Sequence, residues 1–295
     1  MCDVRVFVAG GTGAVGRALV PLLIKAGHDV VGTSRTPGGV ERLRAQGVTG
    51  VRVDMLDADD TRRAVAAAAP DVIMHQLTAL GDADGRANAL LRRQGTRNLV
   101  EAAKAAGVER IVVQSISWVY APGETPARET EPLDTQAPEP RAGMVDAVRA
   151  MEETAAELPH AVVLRYGILY GPGTWYAPGG PVAAALAGDK EARFLGSLKA
   201  DSSVSSFLHV ADAANAALAA LDWPSGPVNI VDDEPAPAHV WLPELARALC
   251  VPSPEPEPGA ERPGWARGAD NTLARSRGWV PAYPSWRTGF GRQLA

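Results

Sequence analysis

Apolar and polar positions along the chain switch between two periods. Val4 to Ala9 is a β-branched apolar run that predicts a buried strand, and Val15, Leu19, Leu22 and Leu23 follow at helical spacing. The alternation then recurs. Asp29–Ser34, Val48–Val53, Asp71–His75, Arg110–Ser115 and Ala161–Arg165 predict strands two to six, with helical patterns between them that include about 84–106 and 144–158. Such a succession predicts an α/β fold, a Rossmann-type doubly wound parallel sheet with helices on both faces. Val228 to Val231 adds a late strand. The segment from Pro122 to Pro140 carries five prolines and reads as a surface loop that could cover a site, and Val251–Pro263 is a second proline-rich loop.

Composition narrows the partners. The 295 residues suit a nucleotide domain with a smaller appended part, and a hydrophobic content of 46% is enough for a full core. With a net charge of −5 and no basic block, nucleic acid is not an expected partner. No apolar run has the length of a membrane span, and Met1 leads straight into a strand without a signal peptide. Two cysteines, Cys2 and Cys250, give no disulfide framework, so a cytoplasmic location is expected. Lysine occurs only at 25, 104, 190 and 199 while arginine is abundant, which suggests a GC-rich bacterial genome.

The chemistry begins at the end of the first strand, where Gly10, Gly13 and Gly16 precede and enter the first helix. Gly10 permits a sharp turn, Gly13 lets backbone N–H groups approach a pyrophosphate, and Gly16 lets helix and strand pack closely. The helix N-terminus adds free N–H donors, so the Gly10–Gly16 run, with Thr12, Ala14 and Val15, is a dinucleotide phosphate cradle. At the tip of the second strand stand Thr33, Ser34, Arg35 and Thr36, with no acid to hold a free ribose 2′-hydroxyl. Arg35, with Ser34 beside it, therefore points to a 2′-phosphate and favours NADP(H) over NAD(H). Asp57 is placed to cap the alanine-rich helix that follows. His28, His160 and His239 have no partners at metal-ligand spacing, and no metal site is expected.

The Gly-x-x-Gly-x-x-Gly spacing resembles the short-chain dehydrogenase/reductase superfamily, and further runs resemble its extended, NAD-dependent epimerase/dehydratase branch. These are Gly95-Thr-Arg-Asn-Leu-Val-Glu-Ala-Ala103, Tyr166-Gly-Ile-Leu-Tyr-Gly-Pro-Gly173, Phe207-Leu-His-Val-Ala-Asp-Ala-Ala214 and the closing Gly278-Trp-Val-Pro281. The resemblance implies a dinucleotide domain of 1–165 with about 201–232, and a substrate-binding part of 166–200 and 233–295. It places Asp54 and Met55 at the adenine, Gln76, Leu77 and Thr78 along the ribose and phosphates, and Gly167 and Ile168 beside the nicotinamide. It also implies a homodimer through the helices around 84–106 and 144–158, and a supporting turn at His209.

The superfamily's acid/base pair is Tyr-x-x-x-Lys, a phenol whose pKa is lowered by a neighbouring lysine. Here the tyrosines are 120, 166, 170, 176 and 283, and none has lysine four residues on. Counting back from Glu153, which matches the acid after the family's lysine, puts Arg149 at the lysine position and Val145 at the tyrosine position. The family's strand-five hydroxyl corresponds to Ser115 or, with the register shifted by one, to Ser117. Arg149 could supply a cation and Tyr166 a replacement acid, while Trp118, Tyr170, Trp175 and Tyr176 are candidate substrate walls. His75 either faces the cofactor or is a satisfied core histidine.

Two functions follow from these residues. One is an NAD(P)-dependent oxidoreductase or epimerase acting on a small hydroxyl- or carbonyl-bearing metabolite, with sugar nucleotides or an aromatic or polyketide-like secondary metabolite as substrate. The other is a dinucleotide-binding protein without hydride transfer, either a redox sensor or a non-redox dehydratase or cyclase.

Overall fold

A computed structural model describes residues 4–79, 84–196 and 198–292. The first half alternates strictly: β1 (Arg5–Ala9), α1 (Ala14–Lys25), β2 (Asp29–Ser34), α2 (Pro37–Ala45), β3 (Thr49–Arg52), α3 (Ala58–Ala68) and β4 (Val72–His75). The predicted 84–106 helix is divided. α4 (Gly85–Leu90) runs into a π-helical turn, Leu91–Gly95, and then into α5 (Thr96–Ala105). β5 (Arg110–Ile116), α6 (Arg141–Ala155) and β6 (His160–Tyr166) follow, then β7 (Ile168–Tyr170), α7 (Pro181–Leu186), β8 (Val204–Ser205) and β9 (Phe207–His209). α8 (Val210–Ala219), β10 (Gly226–Ile230), β11 (Ala236–Pro237), α9 (Ala238–Leu249), α10 (Thr272–Ser276) and α11 (Trp286–Arg292) complete the order.

Seven strands form the main sheet in the order β10-β6-β5-β4-β1-β2-β3, and the pairs joining β3 through β2, β1 and β4 to β5 are parallel. The order reverses between β1 and β4, the switch point at which doubly wound sheets bind ligands outside their strand C-termini. Register fixes what meets there. Ala9 pairs with His75 and His75 with Val113, so Gly10, Gln76 and the Gln114–Ser115 end of β5 emerge along one edge.

Two compact units are distinguished, Met1–Ser115 with Thr135–Leu164 and Ala214–Pro227, and Ile116–Asp134 with Arg165–Ala213 and Val228–Ala295. This differs from a division at 166–200 and 233–295. Residues 116–134 join the second unit, because the buried Arg267 donates to the carbonyls of Ala121 and Thr125 and, at 2.6 Å, to Glu131. Residues 207–209 join it too, through parallel pairing with β7. The first part of the proline-rich segment is thus tied down within its own unit.

The first unit's core gathers Phe7, Ile73, Ile111, Val113, Leu99, Val100, Met151 and Val163 from strands and helix faces. Each such side chain contributes roughly 1.5–3 kcal/mol on burial. The second unit's core is aromatic: Phe207 has ring contacts with Tyr170, Trp241, Trp286 and Phe290 at centroid distances from 5.0 to 6.4 Å. No helix among the described residues is long and apolar enough to cross a membrane. Cys2 lies outside the described residues, and Cys250 is exposed with a free thiol.

Candidate active site

The glycine loop has the geometry of a phosphate cradle. Gly10 has φ +91°, a conformation that favours glycine, and a Cβ on it would stand 2.6 Å from the Gln76 carbonyl oxygen. A Cβ on Gly16 would stand 2.3 Å from the carbonyl oxygen of Gly10. Gly13 caps α1 in an extended conformation with no side-chain hydrogen bond to the first turn. The Gly13 N–H donates to the Gly10 carbonyl at 3.1 Å, and the first turn of α1, uncapped by a side chain, lies at the positive end of the helix, which suits an anionic pyrophosphate. Thr12 donates to the Ser34 hydroxyl at 3.3 Å, and the Thr36 N–H donates to the same oxygen. Ser34 is buried while Arg35 is exposed beyond it. Sequence reasoning passed over Arg52, which pairs in register with Ser34 and donates through Nε to the Arg35 carbonyl at 3.3 Å. Two guanidinium groups therefore stand at the adjoining ends of β2 and β3.

Asp54 is exposed, its carboxylate accepting from the Leu56 N–H at 3.0 Å. Met55, expected at the adenine, lies inside the core. Its side chain is 2% exposed in the core with Val53 and Leu99, and its carbonyl accepts from Asn98. Gln76 is buried, Leu77 half-buried and Thr78 exposed along the chain leaving β4.

At the end of β5, Ser115 is buried and donates its hydroxyl to Glu152 Oε1 at 2.6 Å. α6 provides that partner because Val145, Val148 and Glu152 recur at three- and four-residue spacing on its inner face. Arg149 lies off that face. Its guanidinium, expected near a nicotinamide ribose, pairs with Asp146 at 2.7 Å and Glu153 at 3.1 Å with 44% of the side chain exposed. Val145, which the resemblance aligns with the family's tyrosine, is buried and apolar.

Glu152 is coupled electrostatically to Arg92, and Arg92 to His75, a link that the sequence did not announce. The π-helical turn carries Arg92, whose pKa is lowered to about 10 by burial, an effect that the charge of Glu152 opposes. Arg92 in turn acts on His75, whose pKa burial lowers to about 4. His75 Nε2 lies 2.8 Å from the Thr96 hydroxyl and its Nδ1 accepts from the Leu77 N–H. His75 is thus the satisfied core histidine of the two alternatives. A fully buried, hydrogen-bonded imidazole stays neutral rather than serving as an acid.

The second unit holds the remaining candidates. Ser117 is buried, with its N–H on the Tyr166 carbonyl, and the Tyr166 hydroxyl donates to the Ala213 carbonyl at 3.4 Å. Gly167 and Ile168 pair with Ile230 and Ser206 through their N–H groups. Tyr170 is fully buried among Phe207, His209 and Phe290, so it packs the core instead of walling a site. Tyr176 packs on Phe207 and Trp241, and desolvation pushes its phenol up to about 12. Trp175 is half-buried against the exposed Phe194, and Trp118 is half-buried. His209 stacks on Tyr283 at 3.8 Å. Among the described residues no group of three metal-ligating side chains converges.

Known proteins give this arrangement a context. The sequence profile of the NAD dependent epimerase/dehydratase family matches residues 6–231. A Streptomyces protein named 3-diazoavenalumate denitrifying reductase is 44% identical over 313 aligned positions, covering 98% of this chain and all of that one. The UDP-glucose 4-epimerase of Thermus thermophilus, solved with NAD, superposes with a TM-score of 0.74 at 26% identity, covering 98% and 97% of the two chains. A UDP-glucose 4-epimerase from Thermotoga maritima shares the fold at a TM-score of 0.76 and 21% identity, covering 98% and 97%.

Proposed function

The chain belongs to the NAD dependent epimerase/dehydratase family, and from that premise we propose that it is an NADP(H)-dependent reductase that removes a diazo group from a small aromatic substrate. The observation that supports this reading is that no tyrosine of the chain has a lysine four residues on, while Val145 and Arg149, which the resemblance aligns with the family's phenol and lysine, are buried and surface-paired. Carbonyl reduction needs that acid, because the oxygen gaining electrons must gain a proton. Loss of nitrogen does not. When bound, the reduced nicotinamide supplies a hydride that forms a new C–H bond as the C–N bond of an arenediazonium breaks, N2 leaving with that bond's electron pair, so ArN2+ and H− give ArH and N2 with no proton taken up. The full-length similarity to a denitrifying reductase supports the substrate class.

The chain's own residues then have limited tasks. The Gly10–Gly16 loop and the first turn of α1 hold the pyrophosphate, and Asp54 and the Gln76–Thr78 segment hold the adenosine side. Arg35 and Arg52 bind the 2′-phosphate, which sets the preference for NADP(H). Ser115 meets the substrate at the sheet edge. The test is incubation with NADPH and an arenediazonium carboxylate, following nicotinamide absorbance and headspace gas. One N2 per NADPH oxidised is the expected result. Tight cofactor binding with no oxidation against diazonium or aldehyde would instead identify a non-redox protein.

A further inference from the structure

We propose, resting on the diazo-reductase reading, that Glu152 converts Ser115 into an acceptor-only hydroxyl and so selects an electron-poor diazonium over a carbonyl. A serine hydroxyl has one proton and two lone pairs. Here the proton lies in a 2.6 Å bond to Glu152 Oε1, the length of a charge-assisted O–H···O− contact. What Ser115 can offer at the C-terminal edge of β5 is lone-pair density. A carbonyl oxygen meeting it finds no donor, and the charge it develops on reduction is left unstabilised. A diazonium group carries positive charge on nitrogen, and the same lone pairs attract it.

Three features keep the serine proton directed at Glu152. Ser115 is 3% exposed, which limits competition from water. α6 delivers the carboxylate from the inner face it shares with Val145 and Val148, so the pair is positioned by packing. Arg92 lies within electrostatic reach of Glu152 and adds a positive charge near the carboxylate that accepts the serine proton. Glu152 is thus a positioning residue acting through Ser115. Because the contact exists before nitrogen leaves, its loss is felt in KM more than in kcat.

Glu152→Gln reverses the polarity, since a glutamine amide can donate to the serine oxygen and free its proton. The experiment compares wild type, Glu152→Gln, Ser115→Ala and the double variant on matched aryl carboxylates bearing diazonium or aldehyde. Binding of the aldehyde to the NADP+ complex is measured calorimetrically, which needs no turnover. Glu152→Gln should raise KM for the diazonium about tenfold with kcat largely kept, and should bind the aldehyde more tightly than wild type does. Ser115→Ala should lose the diazonium preference and gain no aldehyde affinity, and the double variant should match it. Unchanged diazonium KM and aldehyde affinity in Glu152→Gln would overturn the inference while leaving diazo reduction standing. Wild-type protein that oxidises no NADPH with diazonium would overturn the reductase reading, and tight wild-type aldehyde binding that depends on Ser115 would overturn this inference as well.

Discussion

A β-carbon on Gly16 would stand 2.3 Å from the carbonyl oxygen of Gly10, so the start of α1 and the end of β1 are packed as closely as backbone allows. That approach gives the loop its shape, and the shape carries cofactor binding. Gly16→Ala forces the loop open. NADPH affinity, followed by nicotinamide fluorescence, should fall by more than about tenfold, with a lower Tm in thermal unfolding.

In the proposed NADP(H) reading, Arg35 and Arg52 act on one phosphate. Either alanine variant should weaken NADPH binding by about tenfold while leaving NADH binding near its original value, because a charge-assisted contact to a phosphate is worth roughly 1.5–3 kcal/mol. Calorimetric titration with both cofactors separates the effects. Equal losses for NADH and NADPH would place the two arginines on a part of the cofactor common to both.

His75 makes stability acid-sensitive. Burial holds its pKa at about 4 against an ordinary value of 6.5, so the unfolded chain takes up a proton that the folded chain refuses. The stabilisation is complete above pH 6.5 and is lost as pH falls through 4, about 3 kcal/mol in all. His209, also lowered to about 4 by burial, adds to the same slope. Urea unfolding of His75→Asn between those pH values should therefore show a reduced slope and not a flat line.

Asp232 works in the opposite direction. Desolvation raises its carboxyl to about 8, partly offset by N–H donors from Glu234 and Trp286. The folded chain keeps a proton there that the unfolded chain releases, so its contribution is fully present below pH 3.8 and is lost as pH rises through 8. Asp232→Asn keeps an acceptor for the Trp286 N–H and should hold Tm more nearly constant from pH 6 to pH 9, whereas the parent loses stability. An unchanged profile would put the titration elsewhere.

Features decided locally were legible in the chain. Asp57 caps α3, its side chain accepting from the Asp60 N–H, because a capping residue needs only its own next turn. The glycine loop at Gly10–Gly16 is equally local. Met55 lies past the end of β3, and its burial in the core with Val53 and Leu99 comes from a partner distant in sequence, which no local pattern announces. The Ser115–Glu152 bond joins residues 37 positions apart, and the π-helical turn that presents Arg92 interrupts a helix the apolar pattern reads as continuous. Neither leaves a periodic trace. Tyr170 was legible as aromatic but not as core, since its burial comes from Phe207 and Phe290, which lie far along the chain.

The most direct measurement follows the hydride itself. Wild-type protein is given NADPH deuterated at the transferring position of the nicotinamide, with an arenediazonium carboxylate in ordinary water. The product arene should carry one deuterium at the carbon that bore nitrogen, with one N2 released for each NADP+ formed. Product carrying hydrogen from solvent at that carbon, or nitrogen loss at the same rate without the protein, would contradict hydride transfer to carbon as the reaction of this chain.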